Sequence, residues 1–380
     1  MKRRQKSFLT GAGMMSAYSS LLAIAVGLLF GFVILLISNP SQAVSGLGMI
    51  LKGGFTGGRR GVGQVLYYAT PIIMTGLSVG FAFKTGLFNI GAPGQLMVGG
   101  FVAIYVGIKW TFLPGISHWV CGILMGMLAG GLWALIPGLF KALLNVNEVI
   151  SSIMMNYIGM YGVNLLIEGN IHDKMKNQTL SVAENAVIPR WGLDKIFVNQ
   201  MGDYADISTV NIGIIIAILL AIAVYIILYR TKFGFELRAC GLNRHASRYA
   251  GINEKRMIAS SMVIAGMLAG CAGALMYLAP ASGLHMSVEE ILSPEGFNGI
   301  SVALLGMSHP IGIIFAGLFI AHISQGGFYL QKLQYMPEII DIIIAAIIYF
   351  SAFALLFKRM MNKWMLAKNS RKENGGKNNG

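Results

Sequence analysis

Charge is what this 380-residue chain has least of: charged residues make up 12% of it, about half the share usual in a soluble domain. Hydrophobic residues supply 55%, and mean hydropathy is +0.66. A soluble core cannot hide that much apolar surface, whereas a bilayer can. Cysteine is scarce too. Cys121 and Cys271 sit in apolar stretches and Cys240 in a basic loop. None has a partner at metal-ligand spacing, so they read as unpaired packing residues and a disulfide scaffold is excluded. The glycines lack a three-residue period, which excludes collagen. Polar low complexity is confined to the C-terminal end, which excludes a disordered chain. A phosphate-binding loop is missing, since Gly376-Lys377 lacks both the upstream glycine and the following hydroxyl; the chain cannot hydrolyse ATP through such a loop. Six scattered histidines form no metal motif.

What is present is a series of apolar runs near the roughly 20 residues that a membrane span requires. They are Tyr18–Ser38, Gln64–Phe83, Gly94–Ile108, Ile116–Pro137, Val149–Ile167, Thr209–Tyr229, Ile258–Ala279, Leu292–Met307, Pro310–Gly326 and Pro337–Phe357. The third and eighth are short and interrupted by glycine. The first follows Lys2, Arg3, Arg4 and Lys6 but is too long for the apolar part of a signal peptide. With both termini in the cytoplasm, 20 of the 29 lysines and arginines fall in inside loops and tails, the positive-inside pattern. Topology therefore accounts for the net charge of +14, and no nucleic-acid partner is needed. The expected layout is an all-α polytopic membrane protein of about ten helices. Residues 1–17 form a cytoplasmic segment and 18–357 the transmembrane domain, with an external loop at 168–208 and a basic cytoplasmic loop at 230–257. Residues 358–380 form a tail whose composition predicts disorder.

Glycines four apart, at 27/31, 76/80, 122/126/130 and 266/270, predict close helix packing in lipid. The stretch from Gly86 to Gln95 holds glycines at 86, 91 and 94 plus Pro93, and cannot continue a helix. Non-helical backbone at membrane depth persists only when buried in protein or lining a cavity. Pro294 to Ser301 opens the short eighth run. Runs three and eight are matching members of two groups of five, which predicts two inverted halves with a pathway between them. In the basic loop, Phe235–Cys240 and His245–Ala250 predict two short helices, with Gly241 stopping the first at a positive φ. Such a loop suits either a cytoplasmic partner or anionic lipid headgroups. Asp341, one turn after Glu338 in the last run, reads as a hydrated interfacial acid.

The 234–252 loop, with Glu236, Gly241, Asn243, Ala246 and Tyr249-Ala250-Gly251, resembles the coupling loop of ABC-importer permeases of the simple-sugar and nucleoside type. These are relatives of the ribose permease and of branched-chain amino-acid permeases. Lys84–Gly91, Asn147–Ile150 with Met154–Tyr157, and Gly299–Gly306 match the same family in the same order. The resemblance covers residues 60–355. Pro93 departs from the acidic residue often found there, so no role for that acid is carried over.

The resemblance implies a non-catalytic permease subunit of the bacterial plasma membrane that moves nucleosides or a simple sugar. Its partners would be a cytoplasmic ATP-binding subunit, a second and different permease chain, an extracytoplasmic substrate-binding lipoprotein and membrane lipid. No cofactor is expected on this chain, MgATP belonging to the ATPase. Glu236, Arg238, Gly241, Asn243, Ala250 and Gly251 are the expected coupling residues. Asn89, Gln95, Asn156 and Asn298 are the pathway candidates, since amides hydrogen-bond sugar hydroxyls and base edges without the desolvation cost of a charge. The same amides equally suit the capping of broken helices. The competing class is a stand-alone ion-coupled carrier. The scarcity of ionisable residues at membrane depth counts against it.

Overall fold

The computed structural model describes residues 12–201, 204–279, 285–336, 338–353, 356 and 359–360. The expected N-terminal segment 1–17 and tail 358–380 lie largely outside them. Its helices of six or more residues are α1 (Ala12–Ser38), α2 (Ala43–Lys52), α3 (Gly58–Lys84), α4 (Ala92–Lys109), α5 (Ile116–Leu144), α6 (Glu148–Asn170), α7 (Gly213–Arg230), α8 (Lys232–Leu242), α9 (Arg244–Tyr249), α10 (Glu254–Tyr277), α11 (Pro294–Leu305), α12 (Pro310–Leu330) and α13 (Glu338–Ala352). Local chemistry explains many of the starts. Asn147, Asn243 and Asn253 each accept a backbone N–H two or three residues on, as N-caps do. Pro93 and Pro294 occupy first-turn positions, where a missing N–H is harmless.

Each of the ten apolar runs contains a helix. Among the described residues, eight helical stretches are long and apolar enough to cross a membrane. The eighth run is not one of them. Its helix α11 has 12 residues, about 18 Å at 1.5 Å per residue, well short of a bilayer. The described part of α13 has 15 residues; the end of its run lies outside the described residues. The second run begins earlier than expected, at Gly58, and is preceded by the short α2.

The chain divides into two compact units, one of residues 52–326 and one made from the two ends. In the latter, α1 lies against α13, and a Cβ added at Gly27 would meet the Ile347 Cα at 2.6 Å. Asp341 is exposed in the first turn of α13. In the larger unit, α10 packs against α3, α4 and α5. Its contact with α5 depends on the predicted glycine spacing: a Cβ added at Gly270 would lie 2.3 Å from the Gly126 carbonyl oxygen.

The 168–208 segment is folded rather than a plain loop. It forms two antiparallel hairpins, β1 (His172–Asp173) with β2 (Gln178–Thr179), and β3 (Val198–Met201) with β4 (Tyr204–Ile207). Ile171 packs with Phe101, Ile104, Ile167 and Met286, and an Arg60–Asp206 ion pair of 2.8 Å ties β4 to α3.

Candidate functional site

Between α3 and α4 the backbone is non-helical from Thr85 to Gly91. Asn89 Nδ2 donates to Ser78 Oγ at 3.0 Å. Ser78 lies six residues before the end of α3, so the turn folds back about 9 Å alongside it. The turn is therefore tucked against α3 instead of projecting past its end, and the helix is broken where the glycines predicted, although Pro93, Gly94 and Gln95 already belong to α4.

The expected pathway amides do not face open space. Asn89 Nδ2 also donates to Gln95 Oε1 at 2.8 Å, and Gln95 Nε2 returns a bond to Asn89 Oδ1 at 2.9 Å. Asn156 Oδ1 accepts the Gly94 N–H at 3.0 Å, while its Nδ2 donates to the Ile90 carbonyl at 2.9 Å. All three side chains are buried, Asn89 completely. A non-helical turn leaves backbone groups that lipid cannot satisfy, and this brace uses three amides to hold it. Asn298 stands apart. It is half-buried within the helical part of α11, so it is not the counterpart of Asn89. Ser78 falls in a Gly76–Gly80 Gly-x-Ser-x-Gly pattern, yet on a continuous helix, where no exposed nucleophile can form.

The basic loop forms α8 and α9, the expected pair of helices, but Gly241 does not stop the first. It lies inside α8, and its φ is not positive. Glycine is needed because α8 rests on the α3–α4 turn: a Cβ at Gly241 would lie 2.6 Å from the Thr85 carbonyl carbon and 2.8 Å from the Gly86 nitrogen. One face of α8, with Gly234, Leu237 and Cys240, is buried. Arg238 turns inward, its guanidinium 4.9 Å from the Tyr229 ring centroid. Glu236 is partly buried and pairs with Lys232 at 3.8 Å. Asn243 ends α8 and caps α9. Ala250 and Gly251 are exposed, Gly251 with φ +80°.

Two groups escaped the sequence reading. Phe235, Leu242 and Tyr249 are large apolar side chains exposed on α8 and α9. The seven-residue spacing of the first two would have marked a shared helix face. Glu295, in the first turn of α11, is an acid inside an apolar run, and its charge was the available signal. Elsewhere, an apolar cleft of about 360 Å³ between α3 and α12 is lined by Val62, Val65, Leu66, Leu318 and Phe319; it offers little to a polar solute.

Residues 61–352 match the family described as "Branched-chain amino acid transport system / permease component". The chain is 39% identical to the guanosine ABC transporter permease protein NupP of Bacillus subtilis, over 90% of this chain and 95% of that one. It is 35% identical to the nucleoside ABC transporter permease protein NupB of Lactococcus lactis, over 90% and 92%. It is 29% identical to a glucose ABC transporter permease protein of Haloferax volcanii, over 79% and 78%. No solved structure matches the chain closely enough to compare. With its apolar helices and this likeness, the chain is a multi-pass protein of the plasma membrane, and it belongs to the family of branched-chain amino acid transport system permease components.

Proposed function

We propose that the chain is the membrane-spanning permease subunit of an ABC importer for nucleosides, driven by MgATP hydrolysis on a separate cytoplasmic ATPase. The two relatives named for guanosine and nucleoside transport align along nearly their whole length, and this supports nucleosides over a simple sugar. A second, homologous permease chain and a substrate-binding lipoprotein complete the assembly. In this reading α8 and α9 face the cytoplasm, and exposed Phe235, Leu242 and Tyr249 dock on the ATPase.

The observation that carries the mechanism is the seat of Gly241 on Thr85 and Gly86. A displacement of α8 by the ATPase reaches the α3–α4 turn directly. The amide brace makes that turn and the start of α4 move as one body, which shifts the equilibrium between outward- and inward-facing states. No covalent chemistry is involved. The test is reconstitution of the whole complex in proteoliposomes, with uptake of a labelled nucleoside and ATP hydrolysis measured together. Gly241→Ala inserts a methyl 2.6–2.8 Å from the Thr85 and Gly86 backbone, and overpacking of that kind costs about 1–3 kcal/mol. It should lower uptake per ATP hydrolysed while the ATPase still binds. Unchanged coupling in Gly241→Ala would refute the linkage.

A further inference from the structure

Gly241 is not the only point at which α8 meets the rest of the larger unit. Arg238 lies three residues earlier, on the same face of the helix about one turn away. Its guanidinium sits 4.9 Å from the Tyr229 ring centroid, within reach of a cation–π contact. Its Nε is buried without a hydrogen-bond partner among the described residues, so no hydrogen bond from that atom anchors the side chain elsewhere. Tyr229 in turn packs on His309, their ring centroids 5.5 Å apart. Tyr225 completes the group, 5.2 Å from Tyr229 and 5.7 Å from His309. Aromatic rings attract at such separations. Tyr225 and Tyr229 stand one turn apart near the end of α7, whereas His309 belongs to the turn between α11 and α12. These side chains therefore join α8 to that turn across the end of α7.

The α11–α12 turn is tightly held. Met307 and Ser308 have φ of +55° and +51°, a left-handed conformation that residues other than glycine keep only where their surroundings impose it. The Ser308 N–H donates to the Ala303 carbonyl at 2.7 Å. A Cβ added at Gly306 would lie 2.7 Å from the Ile313 nitrogen, and one added at Gly80 would meet the Ser308 Cα at 3.5 Å. The turn thus rests on α3, about one and a half helical turns before the Thr85–Gly86 contact.

We propose that Arg238, Tyr229 and His309 are positioning residues for transport, carrying a displacement of α8 to the α11–α12 turn so that one helix moves two turns together. The inference rests on the permease reading, in which an ATPase moves α8, and extends it beyond the α3–α4 turn. Gly241 meets Thr85 and Gly86 by backbone contact, which can push but cannot pull. A cation on a ring face is attractive, so Arg238 draws the ring with it when α8 withdraws. The rings pass the motion on because closely packed side chains resist compression.

The experiment measures nucleoside uptake and ATP hydrolysis together in proteoliposomes holding the full complex, with membrane abundance and ATPase binding scored for each variant. Arg238→Gln removes the charge, Tyr229→Leu the middle ring and His309→Leu the far one. Each should lower uptake per ATP hydrolysed about two- to tenfold, the range such contacts span, at normal abundance and with the ATPase bound. Tyr229→Phe keeps the ring and should recover the ratio lost in Tyr229→Leu. Arg238→Gln combined with His309→Leu should lose no more than the worse single variant, because both interrupt one chain of contacts. If Tyr229→Leu fails to accumulate, Arg238→Gln and His309→Leu decide alone. A loss confined to Arg238→Gln would mean that this residue meets the ATPase directly, and would overturn the proposal. Additive losses in the double variant, or reduced abundance with uptake per ATP unchanged, would do the same and leave the permease function and the Gly241 contact standing. A wild-type complex that takes up no nucleoside would overturn the function and this coupling with it.

Discussion

Gly241 and Gly251 are the same residue type in one short segment, and glycine is required for different reasons. At Gly241 the backbone is ordinary helix and space is the constraint. At Gly251 φ is +80° while nothing lies within 4 Å of an added Cβ. Gly251→Ala should therefore cost only the left-handed penalty of about 1–2 kcal/mol, visible as a small drop in thermal stability with uptake per ATP unchanged. Asn89 makes a sharper case. Asn89→Leu would leave Ser78 and Gln95 without their buried partner, at about 1–3 kcal/mol for each group left unsatisfied. The expected result is low membrane abundance and a lowered melting temperature, with normal substrate dependence in the protein that survives. A weakened apparent affinity at normal abundance would restore Asn89 to the pathway.

At the scale of elements, α8 and α9 are two short helices joined at Asn243. Thr231 caps α8, its Oγ1 accepting the Gly234 N–H at 3.0 Å, and Asn243 Oδ1 accepts the Ala246 N–H at 3.1 Å. A lost cap costs about 1 kcal/mol, enough to fray a six-residue helix. Asn243→Ala should leave insertion and α8 intact but loosen α9, read as faster amide exchange over residues 244–249 and weaker binding of the ATPase. Normal exchange there would show that packing of buried Ser247 holds α9 without its cap. The short α11 follows a different logic. Twelve residues cannot cross a bilayer, yet they can end a re-entrant segment whose first turn meets that of α4, and this is where the acid is held.

For the whole molecule, the distribution of lysine and arginine predicts both termini and the 230–257 segment inside, with 168–208 outside. Met175 and Tyr249 are almost fully exposed, at 96% and 95%, and suit single-cysteine probes. An impermeant thiol reagent added outside intact cells should label Met175→Cys and spare Tyr249→Cys; the reverse pattern would invert the topology. Much of this was legible in the sequence. Membrane class, the ten helical runs, the glycine contacts of α5 with α10 and the break before α4 all follow from local composition and spacing, because lipid forces each segment to satisfy its own backbone. The roles of Asn89, Gln95 and Asn156 were not legible, since an amide suited to a ribose hydroxyl is equally suited to a neighbouring turn. Gly241 could not be told from a helix stop, because its neighbours Thr85 and Gly86 lie far away in the chain. Glu295 looked like part of a helix start until folding set its carbonyl on Thr75 and the following Gly296 on Pro93. The sequence by itself determined which segments enter the membrane, since transfer free energy sums over neighbouring residues. Only the tertiary structure decided which polar groups brace one another, because a hydrogen bond is assigned by the partner it meets.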